Sequence, residues 1–267
     1  MKIKAVALDL DGTLLSSDKT ISLENLEVLE ELEKRGILIF ISTGRPYISA
    51  KKIADEIGLK SVIITYNGAK VINPITGEVL YEQVLEEKYV KKLIEFSREF
   101  GIHLNLYQNE EWFVENDSNE ETIAYKKLTK LTPIKKDFDT FELYTMTKTL
   151  FIGENHILKE LEKKIKNFAG ENVHVTFSQS RFLEILNKNV NKGAALLAVL
   201  EKKNIKPEEC MAFGDASNDL EMLKVVGYGV AMGNATDEVK AETSYITDSN
   251  DDNGVANFIK KNIFKII

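Results

Sequence analysis

The apolar run Ile3 to Leu8 stops at Asp9-Leu10-Asp11-Gly12-Thr13, and this junction constrains the chain more than any other stretch. The run reads as a buried strand, and Gly12 supplies the backbone freedom for the sharp turn that must follow it. Strand positions i and i+2 face the same way, so Asp9 and Asp11 are expected to share one pocket where the strand ends. Carboxylates held that close repel, and they persist only where a cation, a proton or a catalytic task compensates.

Beyond the junction, strand and helix signals alternate. Residues 22–35 read as helix, 37–41 as strand, 47–57 as helix and 62–65 as strand, the rhythm of a parallel α/β unit. Ser22 suits the helix N-cap, Leu23, Leu26, Leu29 and Leu32 recur at helical spacing, and Gly36 stands where a left-handed cap residue belongs. Ligands of such sheets collect at the carboxyl ends of strands, and Asp9, Thr43 and Asn67 all fall just beyond such ends. The pattern then changes. Residues 70–73 and 78–81 flank Pro74-Ile75-Thr76-Gly77 as a hairpin, and a mixed segment follows. It reads as helices at 86–100, 120–131 and 156–168, and strands at 103–107, 112–115, 148–152, 174–177 and 182–186. The α/β rhythm resumes with a helix at 192–203, a strand at 211–213 leading into Gly214-Asp215-Ala216-Ser217-Asn218-Asp219, and a strand at 229–232. The expected organisation is a discontinuous domain, 1–83 and 188–267, with an α+β domain inserted at 84–187.

Bulk properties narrow the function. With 42 acidic against 35 basic residues and a formal charge of -7, the chain lacks the balance expected for duplex DNA or an anionic membrane. The single cysteine, Cys210, excludes an intramolecular disulfide and a cysteine-based zinc site, and its strand setting reads as a buried thiol. Without a leader pattern or a run near the ~18 apolar residues of a membrane span, a cytoplasmic protein without an obligate protein partner is expected.

Four groups carry the chemistry: Asp9 with Asp11; Ser42-Thr43-Gly44-Arg45; Lys192 within Asn191-Lys192-Gly193; and Asp215 with Asn218 and Asp219. In that order they resemble the haloacid dehalogenase-like phosphohydrolases. With Tyr66-Asn67-Gly68-Ala69, Leu183-Glu184-Ile185 and Met232-Gly233-Asn234-Ala235, the chain is similar over nearly its whole length to the Cof-type subfamily. The resemblance implies a Rossmann-like parallel-sheet α/β core with an inserted α+β cap of type IIB. The stretch between Arg45 and Lys192 far exceeds the ~30 residues of a helical crossover, so the insertion belongs there.

The resemblance further implies a magnesium-dependent phosphatase of small soluble phosphate monoesters, such as sugar phosphates, acting through an aspartyl phosphate. Four carboxylates would reject a phosphate dianion unless a hard cation intervened, and oxygen ligands without histidine or cysteine suit Mg2+. The implied metal ligands are the carboxylates of Asp9 and Asp215 and the main-chain carbonyl of Asp11, with Asp219 in support. Asp9 is the implied nucleophile and Asp11 the acid and base, a role that predicts a raised pKa. Lys192, the Thr43 hydroxyl, the amides of Leu10 and Gly44 and the Asn218 side chain are the implied phosphate contacts. Arg45 reads either as a substrate contact or as a partner of the acidic rim. Asn67-Gly68 is a turn signal in its own right. Glu184 interrupts an apolar strand and is expected to aim at the leaving group. An alternative of related chemistry is a sugar phosphomutase, and one of another class is a phospho-accepting or metabolite-sensing protein that is not an enzyme. His103, His156 and His174 show no ligand spacing and read as structural.

Overall fold

The computed structural model describes residues 3–264; positions 1–2 and 265–267, the ends of the expected outer domain, lie outside the described residues. Two compact units divide the chain, one formed by the sequence up to Tyr81 and from Asn191 onward, the other by Glu82–Val190.

The first unit opens with β1 (Ala5–Leu8), α1 (Leu23–Lys34), β2 (Leu38–Ser42), α2 (Tyr47–Glu56) and β3 (Ile63–Thr65), followed by β4 (Lys70–Ile72) and β5 (Val79–Glu82). β1, β2 and β3 pair in parallel through their helical crossovers, whereas β4 returns antiparallel to β3. α1 begins where the Ser22 side chain accepts the Asn25 amide, at 3.2 Å, and ends before Gly36, whose φ of +73° needs no β-carbon. The leucine stripe is not the whole buried face. Leu23 is exposed, and Asn25, Val28, Leu29 and Leu32 point inward. Asn25 is tolerated there because its Oδ1 accepts the amide of Ala256, at 3.0 Å.

The second unit comprises α3 (Glu87–Phe100), β6 (His103–Gln108), β7 (Glu111–Val114), α4 (Glu120–Thr129), β8 (Ile134–Lys135), β9 (Lys148–Ile152), α5 (Asn155–Ala169), β10 (Val173–Gln179) and β11 (Phe182–Asn187). Among the described residues its strands form one sheet in the order β10-β11-β9-β6-β7-β8. Side chains of one sheet face, including Leu104, Leu106, Phe151, Leu183 and Ile185, form a core with Val90, Leu93 and Ile94 of α3 and Leu158, Leu161 and Ile165 of α5. Alternation along strands and the helical repeat thus meet in a single apolar layer. His103 on β6 sits among Asn105, Asn119 and Thr122.

The chain returns to the first unit as α6 (Lys192–Lys202), β12 (Cys210–Gly214), α7 (Leu220–Val225), β13 (Tyr228–Ala231), α8 (Asp237–Ala241), β14 (Tyr245–Ile246) and α9 (Gly254–Ile259). The sheet order becomes β14-β13-β12-β1-β2-β3-β4-β5. β12 pairs in parallel with β1, matching Phe213 with Leu8, and β2 flanks β1 on the other side, matching Ile41 with Leu8. The residues that follow β1, β2 and β12 therefore emerge side by side at one sheet edge. Cys210 is buried in β12, and that burial pushes its thiol up to about 12, against a weaker hydrogen-bond effect from the Ala7 main chain. No helix among the described residues is long and apolar enough to cross a membrane.

Candidate active site

β1 ends at Leu8, and the next residues coil into a tight turn in which the carbonyl of Leu10 accepts the amides of Thr13 and Leu15, at 3.3 and 2.8 Å. Gly12 is required in this turn. Its φ is +85°, and a β-carbon there would lie 2.4 Å from Asp215 Oδ2. The close approach also lets the Thr13 hydroxyl donate to Asp215 Oδ1, at 2.9 Å, orienting a carboxylate from the far end of the sequence. Asn234 completes the turn by donating Nδ2 to the Gly12 carbonyl, at 2.8 Å.

Asp9, Asp215 and Asp219 converge, with one carboxylate oxygen of each within 4.8 Å of the others. The loop after β12 explains how. Asp219 Oδ2 accepts the amides of Asp215 and Ala216, at 3.0 and 3.1 Å, so the loop closes around its own side chain. Gly214 makes room for that reversal, since a β-carbon at position 214 would meet Asp219 Cβ at 2.5 Å. Lys192, fully buried, donates Nζ to Asp9 Oδ1 and Asp219 Oδ1, both at 2.6 Å. Its neighbours hold it there. Asn191 caps α6 by accepting the Ala194 amide at 2.7 Å, and Gly193 lies so close to α7 that a β-carbon would be 2.6 Å from the Glu221 carbonyl oxygen.

Two of the three carboxylates thus bond one ammonium, and Asp215 stands beside them. Burial pushes the Asp9 carboxyl well above its ordinary range; Lys192 opposes this, and the charges of Asp219 and Asp215 add to it. Asp215 is pushed up to about 6 by burial and by Asp219, against the Thr13 hydroxyl and Lys192. Lys192 moves upward too: burial disfavours its charge, but the charges of Asp219 and Asp9 outweigh that cost. The site has a deficit of positive charge and an all-oxygen donor set, and a hard divalent cation fits both features.

Asp11 departs from expectation. Its carboxylate is not in the acidic group. Arg45 clasps it with two hydrogen bonds, Nε to Oδ2 at 2.6 Å and Nη2 to Oδ1 at 2.7 Å, and Lys19 adds a third at 3.0 Å. Burial would raise its pKa, yet the hydrogen bonds and charges of Arg45 and Lys19 prevail and hold it down to about 2. The expected raised pKa is therefore corrected to a lowered one. The strand ends before Asp9, so the two-residue alternation no longer governs Asp11, and two cations are within its reach. Of the two readings of Arg45, this structure has it paired with an acid.

The phosphate-contact candidates gather on the neighbouring loops. Thr43 is buried after β2, its amide donates to the Ile64 carbonyl at 2.9 Å, and its Oγ1 accepts the Arg45 amide at 3.2 Å. Gly44 runs close to Asn67, whose Oδ1 would lie 2.8 Å from a β-carbon on the glycine. The same Oδ1 accepts from Asn218 Nδ2 at 2.9 Å. Leu10 carries its side chain into the core beneath. Glu184 belongs to the second unit, on β11, where it is buried in an ion pair with Lys148, at 3.1 Å. Thr13, Lys19 and Asn234 were not among the expected site residues. Thr13 and Asn234 stand inside motifs visible in the sequence, whereas nothing local marks Lys19.

The sequence model of the haloacid dehalogenase-like hydrolase family matches residues 6–259. The HMP-PP phosphatase of Cronobacter sakazakii is 31% identical over 243 residues, covering 90% of this chain and 88% of that protein. The crystal structure of a haloacid dehalogenase-like hydrolase from Bacteroides thetaiotaomicron superposes with a TM-score of 0.90 at 34% identity, covering 97% of this chain and 99% of the other. The structure of the subclass IIB sugar phosphatase BT4131 gives a TM-score of 0.81 at 28% identity, covering 99% and 100% of the two chains.

Proposed function

The chain belongs to the haloacid dehalogenase-like hydrolases, in the Cof-type subfamily with a type IIB cap, and from that premise we propose that it is a magnesium-dependent phosphatase of small phosphate monoesters that works through an aspartyl phosphate on Asp9. The observation that supports this most is the convergence of the Asp9, Asp215 and Asp219 carboxylates, two of which bond a single buried ammonium. Such a charge balance is costly without a compensating cation.

Asp9, Asp215 and the main-chain carbonyl of Asp11 would hold Mg2+, which when bound supplies the positive charge that favours ionised carboxylates and neutralises phosphate oxygens. Asp9 attacks phosphorus, forming an oxygen–phosphorus bond as the ester oxygen leaves with the bonding pair. Lys192 fixes the orientation of Asp9 and offers charge to the transferring group. The Thr43 hydroxyl, the Gly44 and Leu10 amides and the Asn218 side chain hold the equatorial phosphate oxygens, in bound substrate and transition state alike. Asp11 delivers a proton to the leaving alkoxide and then removes one from the water that cleaves the aspartyl phosphate. To do so it must leave the Arg45 and Lys19 clasp, since an acid held down to about 2 carries no proton at neutral pH. Asp219 positions Lys192 and the loop that carries Asp215.

A phosphate-release assay over a broad panel of metabolite phosphates tests the reading. Wild-type protein with Mg2+ should release phosphate from some panel members, EDTA should abolish release, and Asp9→Asn should reduce it by at least about a thousandfold, as loss of a nucleophile does. Turnover that survives Asp9→Asn, or that ignores EDTA, refutes the proposal.

A further inference from the structure

We propose that Asn67 is a positioning residue for phosphate recognition, aiming the side-chain amide of Asn218 from a strained turn that braces the phosphate-binding loops together. The inference rests on the phosphatase reading above and assigns a duty within that site.

The turn after β3 is unusual in its backbone. Tyr66, Asn67 and Gly68 have φ values of 51°, 57° and 100°, so two non-glycine residues in succession occupy the left-handed region. Such strain survives only where the surroundings fix it, and it concentrates at functional sites. Here the surroundings are the loops of the candidate site. The Asn67 amide donates to the Thr43 carbonyl at 3.1 Å, and the Tyr66 amide to the Arg45 carbonyl at 3.2 Å. Gly68 presses against the cap of α6, where a β-carbon would lie 2.2 Å from the Asn191 carbonyl oxygen, one residue before Lys192. One short turn therefore bears on the Thr43–Gly44 loop, on the helix start that presents Lys192 and, through the Asn67 side chain, on Asn218.

The chemistry of that last contact favours asparagine. Asn218 is exposed on its loop, and its Nδ2 carries two N–H donors. Asn67 Oδ1 accepts one of them at 2.9 Å, which fixes the amide and directs the second donor. A carboxylate at position 67 would also accept, but it would set a negative charge beside a dianion. Asparagine further tolerates the left-handed backbone better than most residues. Because a donor to an equatorial oxygen acts on bound substrate and transition state alike, its loss should appear in KM more than in kcat.

Asn67→Gly is the decisive variant, since glycine adopts the same φ without strain and only the side-chain carbonyl is lost. With p-nitrophenyl phosphate as substrate and inorganic phosphate as inhibitor, KM and the inhibition constant should each rise about tenfold while kcat changes less than about threefold, the scale of one hydrogen bond to a charged group. Asn218→Ala should behave alike, and the double variant should be no worse than Asn218→Ala, because Asn67 acts through Asn218. A folded Asn67→Gly protein with wild-type KM and phosphate inhibition overturns the proposal, as does a double variant in which the two effects multiply. Failure of the wild-type protein to hydrolyse any phosphate ester would instead strike the underlying phosphatase reading.

Discussion

Gly12 shows how much of this site depends on a single missing atom. A methyl group there meets Asp215 Oδ2 at 2.4 Å on a residue whose φ is +85°, so the substitution must either move Asp215 or unwind the turn after β1. Gly12→Ala should cost about 1–2 kcal/mol in urea unfolding from the left-handed backbone alone. It should also weaken Mg2+ binding about tenfold or more, because the Thr13 hydroxyl can no longer orient the carboxylate. Calorimetry that finds wild-type Mg2+ affinity in a folded Gly12→Ala protein would show that the contact is incidental. At this scale the candidates that the sequence offered rested on position for two and on motif context for the third. Asp9 follows an apolar strand and Asp215 follows another, whereas Lys192, a helix-start lysine like many, stood out only within the order of motifs. The sequence was not readable where partners come from elsewhere in the chain. Asp11 meets Arg45 from 34 positions away, and no local pattern announces that the arginine will reach back to the acid.

Elements with several turns or alternations were legible, and their ends moved by only a few residues. α3 covers Glu87–Phe100 against an expected 86–100, and β9 covers Lys148–Ile152 as expected. The short pieces β8, β14, α8 and α9 escaped notice, because two strand residues or little more than one helical turn cannot display a period. Leucine spacing marked α1 but not its full inward face, where Asn25 takes a position that its bond to Ala256 makes tolerable. Glu184 on β11 is a related case. Its interruption of an apolar strand was plain, but its partner Lys148 sits on the adjacent strand β9, and both side chains are almost fully buried, at 8% and 3% exposure. Removing Glu184 takes the ion-pair partner from a buried ammonium, so Glu184→Ala should lose about 3–5 kcal/mol in urea unfolding, whereas Glu184→Leu with Lys148→Met should regain most of it. Phosphate-release profiles of the double variant then separate packing from recognition. If stability returns but the ranking of substrates changes, Glu184 acts on the leaving group; an unchanged ranking confines it to the sheet.

At the scale of the whole molecule, two cores formed by different segments of one chain carry unequal electrostatic loads. The carboxylates of Asp9, Asp215 and Asp219 all belong to the unit built from the two ends of the sequence, and the segment Glu82–Val190 contributes none of them. A ligand that binds only the native state stabilises by an amount set by its concentration, about 2.7 kcal/mol at a hundred times its dissociation constant. That gain accrues to whatever must be folded for the site to exist. Mg2+ added to EDTA-treated protein should therefore slow amide hydrogen exchange in β1, in β12 and in the loops that follow them, because opening those elements breaks up the acidic group. Exchange within β6, β9 and β11, whose protection derives from their own apolar layer with α3 and α5, should change much less. Ca2+ offers a useful contrast, since it prefers more ligands and a looser geometry than two carboxylates and a carbonyl supply, and its protection should be weaker at equal concentration. Equal slowing across both units would mean that the metal acts on the fold as a whole, and no slowing near Asp9 would leave the three clustered acids without the cation their charge calls for.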